Sequence, residues 1–441
     1  MTAALGAAPK TKPLPPEPTP ILPAEPAWSL LLDSPPAAAG VIDADRVYVA
    51  LQGGGVRAFD RETGAPLWSS DLATAVPPVV SGSHVFVAAP EGIVALAAAT
   101  GTRGWTHPLA SPPSAPFASH DGALVVTTQE AEAIAIRETD GAVLWRRALR
   151  SPTKQPAATM RRADSRDAPA AAYGVVLALD DSRVVAIDVK TGEPLWERSV
   201  PGTLSAPATA RDRVLVGSTN NFLYALDSGS GREVWRWRTG GDVIGAAAAG
   251  DRIYFASLDN ILRAVNRDNG NQQWKTEIPT RPSAPPIAVG DVVLTAGVAP
   301  RLDGFVGKTG EALGSYAAPT DLQGVPAIDP DLQPFRVAMV VFTRDGHLTA
   351  LRPTRMMLPD PPLAPFQTLP GRELAPEKIP NKPTTNSQTS QLPTPKQANY
   401  QLPNKPTPNS QTSQLPTPKQ ANSQLTNLGS WYLGLCVVGS W

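Results

Sequence analysis

Residues 212–238 read Asp212-Arg-Val-Leu-Val-Gly-Ser218-Thr-Asn-Asn-Phe222-Leu-Tyr-Ala-Leu-Asp227-Ser-Gly-Ser230-Gly231-Arg-Glu-Val-Trp235-Arg-Trp237-Arg238. Three short runs, β-branched or aromatic, alternate with turn formers, and no apolar stripe of period 3.6 reaches helical length. That is strand punctuation. The Ser-Gly between the last two runs supplies the positive φ of a tight hairpin. Asp227, three residues before Ser230, is placed to cap that turn with its carboxylate. A small-residue segment, Ser205-Ala-Pro207, lies upstream and supplies a fourth strand.

The same unit recurs along the chain. A Gly stands four residues before a Trp at Gly64/Trp68, Gly101/Trp105, Gly141/Trp145, Gly192/Trp196, Gly231/Trp235 and Gly270/Trp274, and Thr309-Gly310 begins a seventh copy that carries Gly314 in place of Trp. A period near 40 residues with four short strands per unit is the signature of propeller blades. Seven hairpins are complete. An eighth unit, Gly324–Ile328, Arg336–Phe342 and His347–Arg352, has three strands. At the other end, Ala27-Trp28-Ser29-Leu30 resembles Leu67-Trp68-Ser69-Ser70, a fourth strand with nothing before it. The sequence therefore predicts an all-β, eight-bladed propeller of four-stranded antiparallel blades. Its N-terminal strand closes the last blade and removes an open sheet edge.

Trp28, Trp68, Trp105, Trp145, Trp196, Trp235 and Trp274 are read as blade-docking residues rather than as an aromatic ligand box. One offset repeated in every blade means one structural task, and an indole can fill the space between blades while its N–H bonds a carbonyl. Trp237, two residues after Trp235, faces the same way and adds packing.

The chain has 441 residues, 49 of them proline, and equal numbers of acidic and basic side chains, 39 each. Zero net charge argues against nucleic acid or an anionic membrane as a global partner. Proline is about 11% of the chain, against roughly 5% on average. Nearly half of it lies outside the repeats. The expected division is a Pro-rich tether over 1–27, the propeller over 28–353, and a Pro/Gln/Asn-rich tail over 354–441. Within that tail Asn381–Pro403 and Asn404–Thr426 are near-identical copies. A DNA-level duplication and a natural linker both account for them. No apolar run is long enough to span a bilayer.

The motif Asp60-Arg-Glu-Thr63-Gly64-Ala-Pro-Leu-Trp68, repeated as Asp188-Val-Lys-Thr191-Gly192-Glu-Pro-Leu-Trp196, resembles the tryptophan-docking repeat of pyrroloquinoline-quinone-type propellers. In character the chain is most like the outer-membrane assembly lipoprotein BamB among them. The resemblance implies a monomeric, non-catalytic scaffold that binds protein partners, β-barrel assembly components included, at the periplasmic face of the outer membrane. It also implies export and anchoring, although residues 1–27 show neither a signal peptide nor a Cys for lipid attachment. The same repeat builds quinoprotein dehydrogenases and ligand-sensing modules, since fold does not fix function.

The dehydrogenase reading requires pyrroloquinoline quinone with Ca²⁺, and the resemblance adds a vicinal Cys pair and an Asp base. Cys436 is the only cysteine. The channel-lining first strands are assigned to 37–42, 76–80, 114–119, 168–172, 205–210, 243–249, 283–288 and 324–328. None contains Asp, Glu, Lys, Arg or His, whereas Ca²⁺ takes six to eight oxygen ligands, carboxylates among them. No catalytic residue, metal ligand or cofactor is therefore expected. His84, His107 and His120 read as solvated residues at turns or strand ends.

One interval is irregular: Trp145 to Trp196, with the extra residues placed within 150–172 as the ring's sole insertion. Arg146, Arg147, Arg150, Arg161 and Arg162 flank or occupy it. A solvated loop and a partner-docking loop both fit this stretch. The second makes these arginines the candidate binding residues. Nucleic acid is disfavoured, because no aromatic residue interleaves the cations.

Overall fold

The computed structural model describes residues 22–74, 76–161, 173–329 and 336–354. Their strands form eight four-stranded antiparallel sheets, and no helix occurs among them. The opening stretch becomes most of blade 5: Ala208–Ala210, Arg213–Ser218, Phe222–Asp227 and Glu233–Arg238. Each blade is a meander running outward from a short first strand. In Arg213–Ser218 every residue after the first is buried, while Glu233–Arg238 is largely exposed. The core lies between blades. Val176, Ala186 and Trp196 of blade 4 pack with Val214, Val216 and Tyr224 of blade 5. The meander gives the ring two faces. One carries the first hairpin of every blade and the glycine turn of blades 1–7, the turn face. The other carries the second hairpin and the crossover to the next blade, the crossover face.

Closure is by the N-terminal strand. Ala24–Leu31 pairs antiparallel with His347–Pro353, from Ala24 opposite Pro353 to Leu31 opposite His347. The ladder thus begins inside the stretch assigned to the tether. Pro26 is tolerated because this is the outer strand of its sheet, and a bulge lies between Pro26 and Trp28.

The repeat motif works across blades. Each indole N–H donates to a carbonyl in the following blade: Trp28 to Arg61, Trp68 to Ala98, Trp105 to Glu138, Trp145 to Val189, Trp196 to Ser228, Trp235 to Arg267 and Trp274 to Gly307, at 2.7–2.9 Å. Its ring lies on the turn glycine of that blade. Gly192 has φ +72° and lies under Trp145, and a Cβ there would sit 2.7 Å from the indole. Both the left-handed backbone and the stacked ring require glycine. Asp60 and Asp227 cap their turns, accepting from the backbone N–H and hydroxyl of Thr63 and Ser230.

Blade 7 shows why one Trp is missing. Its outer strand, Ala312–Ala317, precedes blade 8, where the third and fourth strands are the last and first strands of the ring. Blade 8 therefore has no Thr-Gly turn on which a Trp could dock. Leu22, 1% exposed, fills the seam instead, packing with Leu302, Ile328 and Leu351.

Candidate functional site

The first strands of neighbouring blades surround the central channel. That of blade 6, Val243–Ala249, is as the sequence suggests; the others are shorter, and two differ in what they carry. The first strand of blade 4 is Ala158–Arg161, not 168–172. The Ala-rich run at 168–172 imitates the small-residue segment, but Pro156-Ala-Ala-Thr159 is the stretch that corresponds to Pro207-Ala-Thr209. Residues 162–172 lie outside the described residues. Blade 3's first strand is Ala118–His120. The first strands therefore carry His120 and Arg161, contrary to the expectation of none.

The extra residues of blade 4 thus fall in sequence between the end of its first strand, Arg161, and the start of its second, Tyr173. They are not the ring's sole insertion. In blade 8 the first hairpin runs from Ile328 to Met339, whereas in blades 2 and 3 it is Gly82-Ser83 and Asp121-Gly122. Blade 8's extra length hides in the sequence because no Trp-to-Trp interval spans it.

This placement divides the candidate arginines. Arg146 and Arg147 lie on the outer strand Val143–Ala148, and Arg150 lies on the crossover that follows. Arg146 pairs with Glu132 at 3.2 Å, and Arg150 lies 3.5 Å from Glu197. Arg147 donates to the Gly192 carbonyl at 2.8 Å, as the Trp237 indole does to Gly270 at 3.0 Å. Arg147 and Trp237 occupy the same position, two residues after a docking Trp, so Arg147 takes part in blade docking. Arg161 is exposed at the turn-face end of its strand, and Arg162 lies outside the described residues.

Four buried polar residues, Arg61, Glu138, Ser228 and Arg267, follow the turn Asp position, a place sequence reasoning left unassigned, and the first two join neighbouring blades. Glu138 is 8% exposed and accepts from Ser81 at 2.9 Å and Ser119 at 2.6 Å, tying the first strands of blades 2 and 3. Beside it, the His120 ring lies 3.9 Å from that of Tyr173, and burial holds His120 below its usual pKa. Arg61, 1% exposed, donates to the carbonyls of Val337 and Asp43 and to the Asp329 carboxylate, linking blade 1 to blade 8. Their only sequence signal is a long polar residue where Ala98 or Val189 stands in other blades.

These arrangements bind strands together, and they do not fit a quinone–Ca²⁺ pair. No group of three or more His, Cys, Asp or Glu side chains among the described residues could hold a metal ion. Glu138 is already satisfied by serine hydroxyls. Hollows of about 290 and 310 Å³ lie on the outer side of blades 1 and 2, lined by Trp68 and Leu67 and by Leu72 and Arg103, away from the first strands.

Comparison with known proteins agrees with this geometry. The family model described as outer membrane protein assembly factor BamB matches residues 24–179, 90–206 and 180–348. The outer membrane protein assembly factor BamB of Yersinia pestis is 29% identical over 169 residues, 35% of this chain. That alignment spans 41% of the relative's length. The crystal structure of BamB from Moraxella catarrhalis superposes with a TM-score of 0.59 at 19% identity, covering 75% of this chain and 99% of that one. Quinohemoprotein alcohol dehydrogenase from Comamonas testosteroni gives 0.55 at 15% identity, covering 74% and 76%. These two structural likenesses show the fold alone.

Proposed function

The chain belongs to the family of the outer membrane protein assembly factor BamB, and from that premise we propose that it is a non-catalytic scaffold. It binds protein partners at the periplasmic face of the outer membrane, β-barrel assembly components among them. The family match across all eight blades carries this reading. The channel chemistry supports it, because the buried polar groups there are committed to one another. The propeller acts as a monomer, without a cofactor. Its docking tryptophans hold the loops at fixed positions, and partners contact those loops and the outer rim.

Of the candidate arginines, Arg161 and Arg162 remain the partner-binding pair, at the entrance to the blade 4 insertion. Charge reversal of both should slow association with an acidic partner and reduce its salt dependence, with folding unchanged. Equal partner recovery from envelope extract and equal kinetics at two salt concentrations would sink that assignment. The test of the whole reading is reconstitution with pyrroloquinoline quinone and Ca²⁺, alongside capture from envelope extract. Retention of envelope proteins with no dye reduction supports the scaffold. A shifted cofactor spectrum with dye reduction would replace it with an oxidoreductase.

A further inference from the structure

The outer strands show one departure. Among the described residues every blade presents an outer edge with unpaired backbone groups, and natural sheets protect such edges with charge or proline. Seven do so here: Glu25 guards blade 8, Pro66 blade 1, Arg103 blade 2, Arg146 blade 3, Glu197 blade 4, Arg236 blade 5 and Lys275 blade 6. The blade 7 strand, Ala312-Leu-Gly-Ser-Tyr-Ala317, has neither.

Three further observations fall on that strand. Gly314 stands where the other blades carry Trp; a Cβ added there meets nothing within 4 Å, and its φ of +141° suits glycine alone. Val298, 71% exposed, stands on the hairpin that meets the end of this strand, where Ala318 bonds the Pro300 carbonyl. That bond also fixes the phase of the ladder. Ala318 faces inward, so alternation turns the amides and carbonyls of Ser315 and Ala317 outward.

We propose that the outer edge of Ala312–Ala317 is a strand-addition site for an extended, uncharged segment of another protein. That segment carries an aromatic residue beside Gly314. Backbone pairing supplies affinity along the edge. The aromatic ring covers the bare glycine, as cross-strand aromatic residues do for edge glycines. Absence of charge on the strand selects against charged segments, which would lose hydration without a counter-charge. The proposal rests on the scaffold reading and names the kind of partner it engages.

The test is fluorescence anisotropy with the full chain and a labelled ten-residue peptide of alternating threonine and valine with one central tyrosine. Binding should weaken about tenfold or more in Ser315→Lys, which places a charge on the edge, and stay unchanged in Ser199→Lys on the guarded blade 4 strand. N-methylation of alternate peptide amides should abolish binding. In Gly314→Trp the tyrosine peptide should lose its advantage over an all-aliphatic one. Equal binding to the wild type and Ser315→Lys with unchanged melting, indifference to N-methylation, no binding by the wild type, or self-association through this edge would each overturn the proposal. Capture of envelope proteins that survives Ser315→Lys would sink the edge site and leave the scaffold reading standing.

Discussion

Seven of the eight blade interfaces are alike and one is not. In the seven, a tryptophan from one blade lies on a left-handed glycine of the next and donates to its backbone. At the blade 7–8 seam the turn that would receive it is absent, because the outer strand of blade 8, Ala24–Leu31, does not follow its third, His347–Pro353, in sequence, and Leu22 packs against Gly304. The tryptophan therefore tracks the presence of a partner hairpin. Where the hairpin goes, the selection for Trp goes with it, and the strand is left small and uncharged. Closure then depends on the N-terminal ladder and on Arg61, which holds blade 1 to blade 8 by bonds to Val337 and Asp329.

The comparison breaks most completely if the N-terminal strand is removed. Deleting residues 1–34 should abolish the single cooperative unfolding transition in calorimetry, since blade 8 loses a strand and both its interfaces are exposed. Next comes a docked interface. Trp145→Ala should cost about 3–5 kcal/mol in denaturant titration, through a cavity and an unpaired Val189 carbonyl. Leu22→Ala, the same experiment at the odd seam, should cost about 2–3 kcal/mol, the lower end for a buried leucine. Equal losses at Trp145 and Leu22 would show that the two kinds of seam are energetically the same.

Acid should weaken one docked interface in particular. Trp237 is capped by Arg263, whose guanidinium lies 5.7 Å from the ring centroid and is held by Asp259. Burial alone would raise the Asp259 pKa, but bonds from Arg263 and Ser257 outweigh it and hold it at about 2. A depressed folded pKa stabilises above the unfolded value, near 4, and that stabilisation is lost as pH falls from about 4 towards 2. Asp259→Asn should flatten this acid limb in a melting series. The smallest effect belongs to Gly314→Trp, which should cost about 1–2 kcal/mol, the strain of a side chain at φ +141°, with nothing regained because no glycine turn awaits the ring. A clear gain would show that blade 8 offers a docking surface after all.

Much of this architecture is legible in the residues. The Gly–Trp offset marks six hairpins, Thr309-Gly310 marks a seventh, and Trp28, standing alone near one end, marks the strand that completes the eighth. Three things are hidden. The offset pairs each Trp with the glycine of its own hairpin, whereas packing pairs it with the next, because a repeat fixes spacing and leaves the inter-blade rotation open. The first strand of blade 4 is masked by two small-residue stretches, and only the ladder of Ala158–Arg161 against Tyr173–Val176 decides between them. Arg147 reads as a free cation beside an insertion, and its bond to Gly192 depends on the neighbouring blade.

Closure is the point on which the ring depends. The most direct test is native-state hydrogen exchange on the full chain, read at the amides of Ala24–Leu31. Amides in this strand that donate to His347–Pro353 should exchange only through global unfolding, with the same free energy as the buried strand Val85–Ala89 of blade 2. Exchange at the rate of a frayed terminus, while blade 2 remains protected, would contradict closure by the N-terminal strand.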